Sequence, residues 1–255
     1  MHSKDEYIAV FDSGVGGISV LQELVKLMPE ENFLYYGDSA NAPYGDRPTA
    51  QVRQLTLAAA DMLMERGVKA LVVACNTATA AAISDLRQAY PDTIVIGIEP
   101  ALKLAYDKFH EGRVGVMATQ VTLREEKFAQ QLERFPDMQV SLIPAPGLVE
   151  LIEEGKADAP ETHALLQQLL NPYVGKLDAL VLGCTHYPFV KKTISQILGE
   201  ETTPLDGSLG TARHTMRRLQ EADLLRQGEG SVQIENSSGD PALIELSAKL
   251  LEREA

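Results

Sequence analysis

Two stretches of the sequence, residues 69–77 (KALVVACNT) and residues 177–186 (LDALVLGCTH), are near-copies of each other. In each stretch a short apolar run ends near a cysteine, Cys75 or Cys184, and small polar residues follow. An apolar run of this length predicts a strand that is buried in a parallel sheet. Open parallel sheets bind their ligands at the carboxyl ends of the strands, and both thiols are therefore predicted to lie at such an edge.

The chain contains no cysteines other than these two. A single cysteine at the end of a strand is usually an inert small hydrophobic residue. Because the two recur in the same context, we interpret them as reactive thiols, one for each side of a substrate. A thiol with a pKa of ~8.5 becomes a useful base where a helix N-terminus or a neighbouring acid–base group favours its thiolate. Asp12 and His186 are the candidates to move protons to and from the sulfurs, although a lone histidine is more often structural.

Strand-like and helix-like segments alternate along nearly the whole chain, which predicts parallel sheet with helices on both faces. With the duplicated cysteine phrase, this predicts an α/β protein of two similar three-layer parallel-sheet domains that face each other across a cleft. The predicted strands are Tyr7–Phe11, Asn32–Tyr36, Ala70–Ala74, Thr93–Gly97, Arg113–Met117, Gln139–Ile143, Asp178–Leu182 and Val232–Glu235. The predicted helices are Ile18–Met28, Thr49–Arg66, Thr79–Tyr90, Pro100–Phe109, Leu123–Phe135, Leu148–Glu154, Glu161–Val174, Phe189–Leu198, Ser208–Gln220 and Ala242–Glu252.

Proline and glycine cluster at Gly97–Pro100 and at Thr203–Gly207, which are the candidate domain boundaries. The first domain is then residues 1–98 and 208–255, with Asp12 and Cys75, and the second is residues 99–207, with Thr119, Cys184 and His186.

The composition argues against several classes of function. With 36 acidic and 23 basic residues the net charge is -13, which repels phosphate backbones and argues against a nucleic-acid partner. The longest apolar runs are strand-length, so no membrane span is expected, and no signal-peptide pattern precedes the first strand. Two cysteines in such a chain do not predict a structural disulfide. No cysteine and histidine residues have zinc spacing, so no metal is expected.

The stretch FDSGVGG, residues 11–17, follows a predicted strand and precedes a predicted helix. It lacks the Gly-Lys-Ser/Thr of a phosphate loop and the glycine spacing of a dinucleotide-binding turn. What remains is a tight turn with Asp12 and Ser13 at the tip of the strand. These two side chains either contact a substrate, which we favour, or cap the following helix.

The stretch YGDSANAPYG, residues 36–45, has the composition of a loop. Its end, with Tyr44 and Gly45, either presents backbone N–H groups and a phenol to a ligand or makes a turn.

Thr119 and Thr122 follow the predicted strand Arg113–Met117 and are candidates for the same edge of the sheet as Cys184. Their hydroxyls either bind a carboxylate or cap the next helix. Glu150, Glu153 and Glu154 would ordinarily form a solvated helix face.

With these residues assembled, the chain resembles the cofactor-independent glutamate racemases, within the wider aspartate/glutamate racemase superfamily. The resemblance covers essentially the whole length, and ordered motifs are far more specific than a single one. His186 favours the glutamate branch, because aspartate racemases typically carry Glu after Cys-Thr. The motifs are Phe11–Gly17, Tyr36–Asp38, Pro43–Gly45, Cys75–Thr77 and Leu182–Pro188.

The resemblance implies an isomerase that interconverts L- and D-glutamate by a 1,1-proton transfer, without cofactor or metal. Cys75 and Cys184 would be the acid–base residues, one removing the α-proton while the other delivers a proton to the opposite face, with Asp12 and His186 assisting. Glu153 matches an acidic residue of the family, in the helix after Pro146, and is a candidate assisting acid. The match is weaker here because Ala145–Gly147 lacks the Cys that often precedes Pro146 in the family. The substrate-binding residues implied are Asp12, Ser13, Tyr44, Gly45, Asn76, Thr77, Thr119, Thr122, Thr185 and His186.

The family likeness further implies a cytoplasmic homodimer that supplies D-glutamate for peptidoglycan synthesis, and hence for cell wall biogenesis and cell shape. Another chemistry of the superfamily is an alternative: racemisation of aspartate or a hydantoin, or a decarboxylation. The second cysteine argues against the one-thiol decarboxylases, and His186 argues against aspartate. A periplasmic-type binding module also has two α/β lobes, but it would need an export signal and has no use for two thiols.

Overall fold

The computed structural model describes residues 2–98, 101–124 and 126–253. These residues form two compact α/β units. The first unit contains the residues up to Ile98 together with Ser208–Arg253, and the second contains those between, up to Gly207. Pro100, the predicted start of a helix and the end of a predicted boundary, lies outside the described residues.

Strands and α-helices alternate through both units. The strands are β1 (Tyr7–Asp12), β2 (Asn32–Gly37), β3 (Val68–Val73), β4 (Ile94–Gly97), β5 (Arg113–Ala118), β6 (Gln139–Pro144), β7 (Ala179–Leu182), β8 (Thr203–Leu205) and β9 (Ser231–Asn236). The helices are α1 (Ile18–Leu27), α2 (Thr49–Met64), α3 (Asn76–Ala89), α4 (Leu102–Phe109), α5 (Gln120–Arg124), α6 (Glu126–Leu132), α7 (Leu148–Glu153), α8 (Pro160–Leu170), α9 (Lys191–Leu198), α10 (Ser208–Glu221) and α11 (Pro241–Glu252).

The sheet of the first unit has the strand order β4-β3-β1-β2-β9, and every neighbouring pair is parallel. All residues of β3 are buried, as are Ile8–Asp12 of β1, so both faces of the sheet must be covered. The covering helices form two groups: α1 packs on α10 and α11, and α2 packs on α3. Because the strands are parallel, the segments that follow β1, β2 and β3 leave the sheet at one edge.

The sheet of the second unit has the order β6-β5-β7-β8 and is also parallel throughout. Its apolar core includes Ala105, Val116, Phe128 and Val181. The prediction of two parallel-sheet α/β units is therefore confirmed.

The sequence patterns misplace several elements. Thr203–Leu205 is the edge strand β8, although it was expected to be part of a boundary loop. Its central Pro204 lacks an N–H group, which an edge strand tolerates and which conceals a strand pattern. The predicted helix Leu123–Phe135 corresponds to α5 and α6, with Glu125 between them outside the described residues.

Two predicted helix starts are also wrong. Helix α3 begins at Asn76 and not at Thr79, directly after Cys75. The helix predicted from Phe189 is a 3-10 turn at Tyr187–Val190 that runs into α9 at Lys191. Within the described ranges, every helix is too short or too polar to cross a lipid bilayer.

An ion pair is buried among the amino-terminal ends of the strands in the first unit. Lys69 Nζ lies 2.6 Å from Glu31 Oε2, and both side chains are almost completely shielded from solvent. Lys69 also donates to the backbone oxygens of Lys4 and Leu224, and Glu31 accepts from the backbone N–H of Arg226. Through these bonds the pair joins the segments before β1, β2 and β9 to strand β3.

Candidate active site

Cys75 lies two residues beyond β3 and is the N-cap residue of α3. Its Sγ accepts a hydrogen bond from the backbone N–H of Ala78, and Ser13 Oγ lies 3.5 Å from the sulfur. The side chain is buried, with 6% of its surface exposed. The positive end of a helix dipole and nearby N–H and O–H donors favour a thiolate over a thiol. The sulfur at this position is therefore suited to act as a base.

Asp12 is the last residue of β1 and Ser13 follows it, so both lie at the same edge of the sheet as Cys75. Asp12 is fully buried, and its Oδ1 accepts from the backbone N–H of Gly14 at 3.0 Å. Helix α1 begins later, and its N-cap residue is Gly17, which has no side chain to cap it.

Gly17 permits the close approach of Asp12 to the helix. A Cβ atom built at this position would lie only 2.6 Å from Asp12 Cβ. Any larger residue would displace the carboxylate, so the glycine is required by packing and not by an unusual backbone angle.

Tyr44 is buried in a 3-10 turn, Tyr44–Asp46, and its hydroxyl donates to Asp38 Oδ2 at 2.7 Å. The amide of Asn41 donates to both oxygens of the same carboxylate. Burial, and then the bond to Asp38, raise the pKa of the Tyr44 phenol well above its ordinary value. The phenol is therefore neutral, and its proton is directed at Asp38. Gly45 follows in the same turn.

Asn76 and Thr77 are the first residues of α3, next to Cys75. Among the described residues, the Oδ1 atom of Asn76 is buried without a hydrogen-bond partner. A buried acceptor without a donor is costly. This oxygen is suited to receive a bond from a bound cation such as an ammonium group.

Cys184 lies two residues beyond β7, at the same relative position as Cys75 beyond β3. Its Sγ is 3.5 Å from Nδ1 of His186, and Nε2 of His186 is 2.6 Å from Glu153 Oε1. Burial alone would lower the pKa of His186, but the interactions with Cys184 and Glu153 outweigh it and hold the pKa well above 6.5. The protonated imidazole is thus favoured at this position by the groups on both of its ring nitrogens.

Glu153 is the last residue of α7. The helix starts after Gly147, whose φ of 83° is in the left-handed region that glycine adopts readily. The expectation of a solvated face holds for Glu150 and Glu154, which are exposed, but Glu153 is half-buried against His186.

Thr119 and Thr122 stand at the start of α5, after β5. The backbone N–H of Thr122 donates to Thr119 Oγ1 at 3.3 Å, and the two hydroxyl oxygens are 2.9 Å apart. Thr119 therefore does cap the helix, and both hydroxyls remain partly exposed. Thr185, between Cys184 and His186, is buried.

Two residues were missed as site candidates. Asp38 stood within a quoted motif, but nothing in the sequence connects its carboxylate to Tyr44. The hydroxyl of Tyr187 is buried beside His186 without a hydrogen-bond partner in the described part of the chain. Burial and the neighbouring Cys184 and Glu150 raise the pKa of this phenol. Tyr187 stood within the quoted motif Leu182–Pro188, three residues after Cys184, and that position was the available signal.

No three histidine, cysteine, aspartate or glutamate side chains cluster as metal ligands within residues 2–98, 101–124 and 126–253.

Comparison with known proteins decides the family. The profile of the family described as Asp/Glu/Hydantoin racemase matches residues 14–207, which is most of the chain. The chain belongs to the Asp/Glu/Hydantoin racemase family. The resemblance inferred from the motifs is confirmed, and with it the prediction of an enzyme of the isomerase class.

Relatives of known function and known structure match nearly the whole chain. A glutamate racemase of Clostridium kluyveri is 48% identical over 98% of this chain and 99% of its own length. The structure of a Thermus thermophilus glutamate racemase in complex with β-chloro-D-alanine has a TM-score of 0.84 and 38% identity, and the match covers 98% of this chain and 94% of that one. A Francisella tularensis glutamate racemase solved with D-glutamate has a TM-score of 0.84 and 28% identity, covering 98% and 95% of the two chains.

Proposed function

We propose that this racemase acts on glutamate and interconverts its L- and D-forms with two thiols and without an added cofactor. The observation that carries the proposal is the matched position of Cys75 and Cys184, each two residues beyond a buried parallel strand. Glutamate as the substrate is supported by the relatives that are similar over the full length, one of which was solved with D-glutamate. We also propose that the two compact units are the two domains of the enzyme.

The reaction is balanced by the two sulfurs alone. The thiolate of one cysteine takes the α-proton, so that an S–H bond forms as the C–H bond breaks and the electron pair stays on the α-carbon. The thiol of the other cysteine then donates its proton to the opposite face of that carbon. The two cysteines finish with exchanged protonation states, which are those that the reverse reaction requires.

The two thiols are activated by different means. Cys75 has the N-terminus of α3, the N–H of Ala78 and the hydroxyl of Ser13 around its sulfur. Cys184 has the imidazole of His186 beside its sulfur, and the interactions with Cys184 and Glu153 raise the pKa of that imidazole. Asp12 is buried at the same edge of the sheet as Cys75, and we propose that it exchanges protons with the Cys75 sulfur.

An α-carbon next to a carboxylate is a very weak acid, so the carbanion needs electrostatic stabilisation where water is excluded. We propose that Asn76 Oδ1, an acceptor that lacks a donor within the described residues, binds the α-ammonium group. The hydroxyls proposed to hold the carboxylates are those of Ser13, Thr77, Thr119, Thr122 and Thr185. Because the phenol proton of Tyr44 is directed at Asp38, we assign Tyr44 and Gly45 to the shape of the binding loop.

The direct test is circular dichroism of purified protein with L-glutamate and, separately, D-glutamate, without added cofactor. We expect the optical signal of either enantiomer to decay to zero, and that of aspartate to persist. Tight binding of glutamate with an unchanged signal would contradict the proposal and would instead support a binding module.

We further propose that the enzyme is a cytoplasmic homodimer and that its D-glutamate is used in peptidoglycan synthesis. These proposals rest on the family likeness. Light scattering on a sizing column tests the dimer, fractionation of cells tests the compartment, and rescue of a D-glutamate auxotroph tests the use of the product.

A further inference from the structure

The segment Asp38–Arg47, which we name the 38–47 loop, is held together internally by polar contacts. It follows β2 and contains two 3-10 turns, Ser39–Asn41 and Tyr44–Asp46. Asp38 receives bonds from Asn41 and Tyr44, and Nε of Arg47 donates to the backbone oxygen of Asn41 at 2.7 Å. The second turn is fixed by Tyr44, which is buried against Phe11, whereas the first turn, Ser39–Asn41, has no buried residue of its own and depends on contacts from outside the loop.

The carboxyl end of the edge strand β9 contacts the first turn of the loop. Ser237 Oγ accepts from the backbone N–H of Ala40 at 2.9 Å, and Nδ2 of Asn236 donates to Ser39 Oγ at 2.8 Å. The backbone N–H of Ser237 also donates to the oxygen of Gly37, which continues the pairing of β9 with β2. Two side chains from the C-terminal part of the chain are thus bonded to the first turn of the loop.

Asn236 is itself fixed by a further chain of contacts. Its Oδ1 accepts from both the backbone N–H and the hydroxyl of Ser238, and Ser238 Oγ accepts from the N–H of Asp240. Asp240 in turn caps α11 through the N–H of Ala242 at 2.9 Å. The side chain of Asn236 is therefore held in place by its own hydrogen bonds when it contacts the loop.

We propose that Asn236 and Ser237 are positioning residues that hold the 38–47 loop, and through it Tyr44 and Gly45, in the conformation that binds substrate. This inference rests on the proposed function for its consequence in catalysis. Neither residue belongs to a motif that the family resemblance quotes. Without their bonds the first turn of the loop loses its side-chain contacts with β9 while the internal network and the buried Tyr44 stay in place, so binding weakens more than the chemical step.

The test compares Ser237→Ala and Asn236→Ala with wild type and with Ser231→Ala. Ser231 Oγ donates to Asn32 Oδ1 at 2.8 Å and joins the same two strands at their opposite ends, so it is a matched control. Ser237→Thr keeps a hydroxyl and should restore wild-type behaviour. Two quantities are measured: deuterium uptake by peptides spanning the 38–47 loop, and the KM and kcat for glutamate.

We expect faster deuterium uptake in the loop and a KM raised about two- to ten-fold in each alanine variant, which is the worth of one hydrogen bond. The kcat should change less than KM, and Ser231→Ala should resemble wild type in both measurements. Unchanged uptake and KM would overturn the inference, and so would a fall in kcat alone or equal effects of Ser231→Ala. If wild type does not racemise glutamate, the proposed function fails, and the uptake measurement alone decides whether Asn236 and Ser237 hold the loop.

Discussion

The imidazole of His186 is bonded to Glu153, with 2.6 Å between Nε2 and Oε1. The other ring nitrogen faces Cys184 Sγ at 3.5 Å, so the ring lies between a carboxylate and a sulfur. The sulfur of Cys75 instead lies at the N-terminus of α3 and faces the hydroxyl of Ser13. The two thiols occupy equivalent positions in their sheets, but different groups contact their sulfurs.

Glu153→Gln should lower the pKa of His186, because the carboxylate is one of the groups that raise it. The reaction step in which Cys184 acts as the base should slow about 10- to 100-fold, the range for losing a hydrogen bond to a charged group. NMR titration of the imidazole gives the pKa of His186, and the racemisation rates measured from each enantiomer give the rate of the step in which Cys184 acts as the base. Glu154→Gln is the matched control, since Glu154 is the adjacent carboxylate and pairs with Lys156 at the surface. A wild-type His186 titration in Glu153→Gln would contradict the assignment.

The raised pKa of His186 also predicts how stability depends on pH. A histidine in the unfolded chain has a pKa of ~6.5, and the folded value is higher, so the folded state binds the proton more tightly. This contribution to stability is fully present below the unfolded pKa and is lost as pH rises through the folded pKa. Urea unfolding of wild type and His186→Gln should differ most near about pH 5.5, and the difference should shrink toward alkaline pH. A difference that grows with pH would contradict this sign; the exposed His163→Gln serves as the control.

The resemblance and the sequence patterns were sufficient for the two parallel sheets and for the positions of both cysteines, because buried parallel strands are continuous apolar runs. The sequence patterns by themselves were insufficient where a contact joins distant segments, and only the resemblance marked Glu153 as a candidate. Glu153 meets His186 across 33 positions of sequence, and its spacing on α7 looks like that of any solvated helix. The bond between Tyr44 and Asp38 is local, yet the composition of the loop specified only a turn.

Short or irregular elements also escaped the patterns. Strand β8 has three residues, one of them proline, so no alternation identifies it. Helix α3 starts at Asn76 because the Cys75 sulfur can accept the bond that a serine or aspartate cap would usually accept. Lys69 is a charged residue that a sequence pattern places at the surface, and its burial is explained by its bonds to Glu31 and to the backbone oxygens of Lys4 and Leu224.

Ser13→Ala should remove the hydroxyl that faces the Cys75 sulfur and leave Cys184 unaffected. Proton removal by Cys75 should slow about two- to ten-fold, the worth of one neutral hydrogen bond. Rates of α-proton exchange from L- and D-glutamate report the two thiols separately, so only one rate should fall. Ser84→Ala, on the exposed side of α3, controls for a general effect on the helix. Equal slowing from both enantiomers would argue against a local role of Ser13.

Lys69→Met should destabilise the fold without altering the site chemistry. The substitution leaves the buried Glu31 carboxylate without its cation, and breaking a buried pair in this way costs about 3–5 kcal/mol. Urea unfolding measures the loss, and the double variant Lys69→Met with Glu31→Leu should recover part of it. The kcat of the folded fraction should stay at the wild-type value, since the pair lies at the ends of the strands opposite Cys75. A Lys69→Met protein as stable as wild type would show that this pair contributes nothing.

The central claim, one thiol for each face of the α-carbon, is tested most directly by proton NMR of α-proton loss in deuterated water. Wild type, Cys75→Ser and Cys184→Ser are each incubated with L-glutamate and with D-glutamate, without added cofactor. We expect wild type to exchange both enantiomers, and each variant to lose exchange of one enantiomer far more than of the other, with opposite preferences. Wild-type exchange of both enantiomers by both variants, or equal slowing of both, would contradict the two-thiol account.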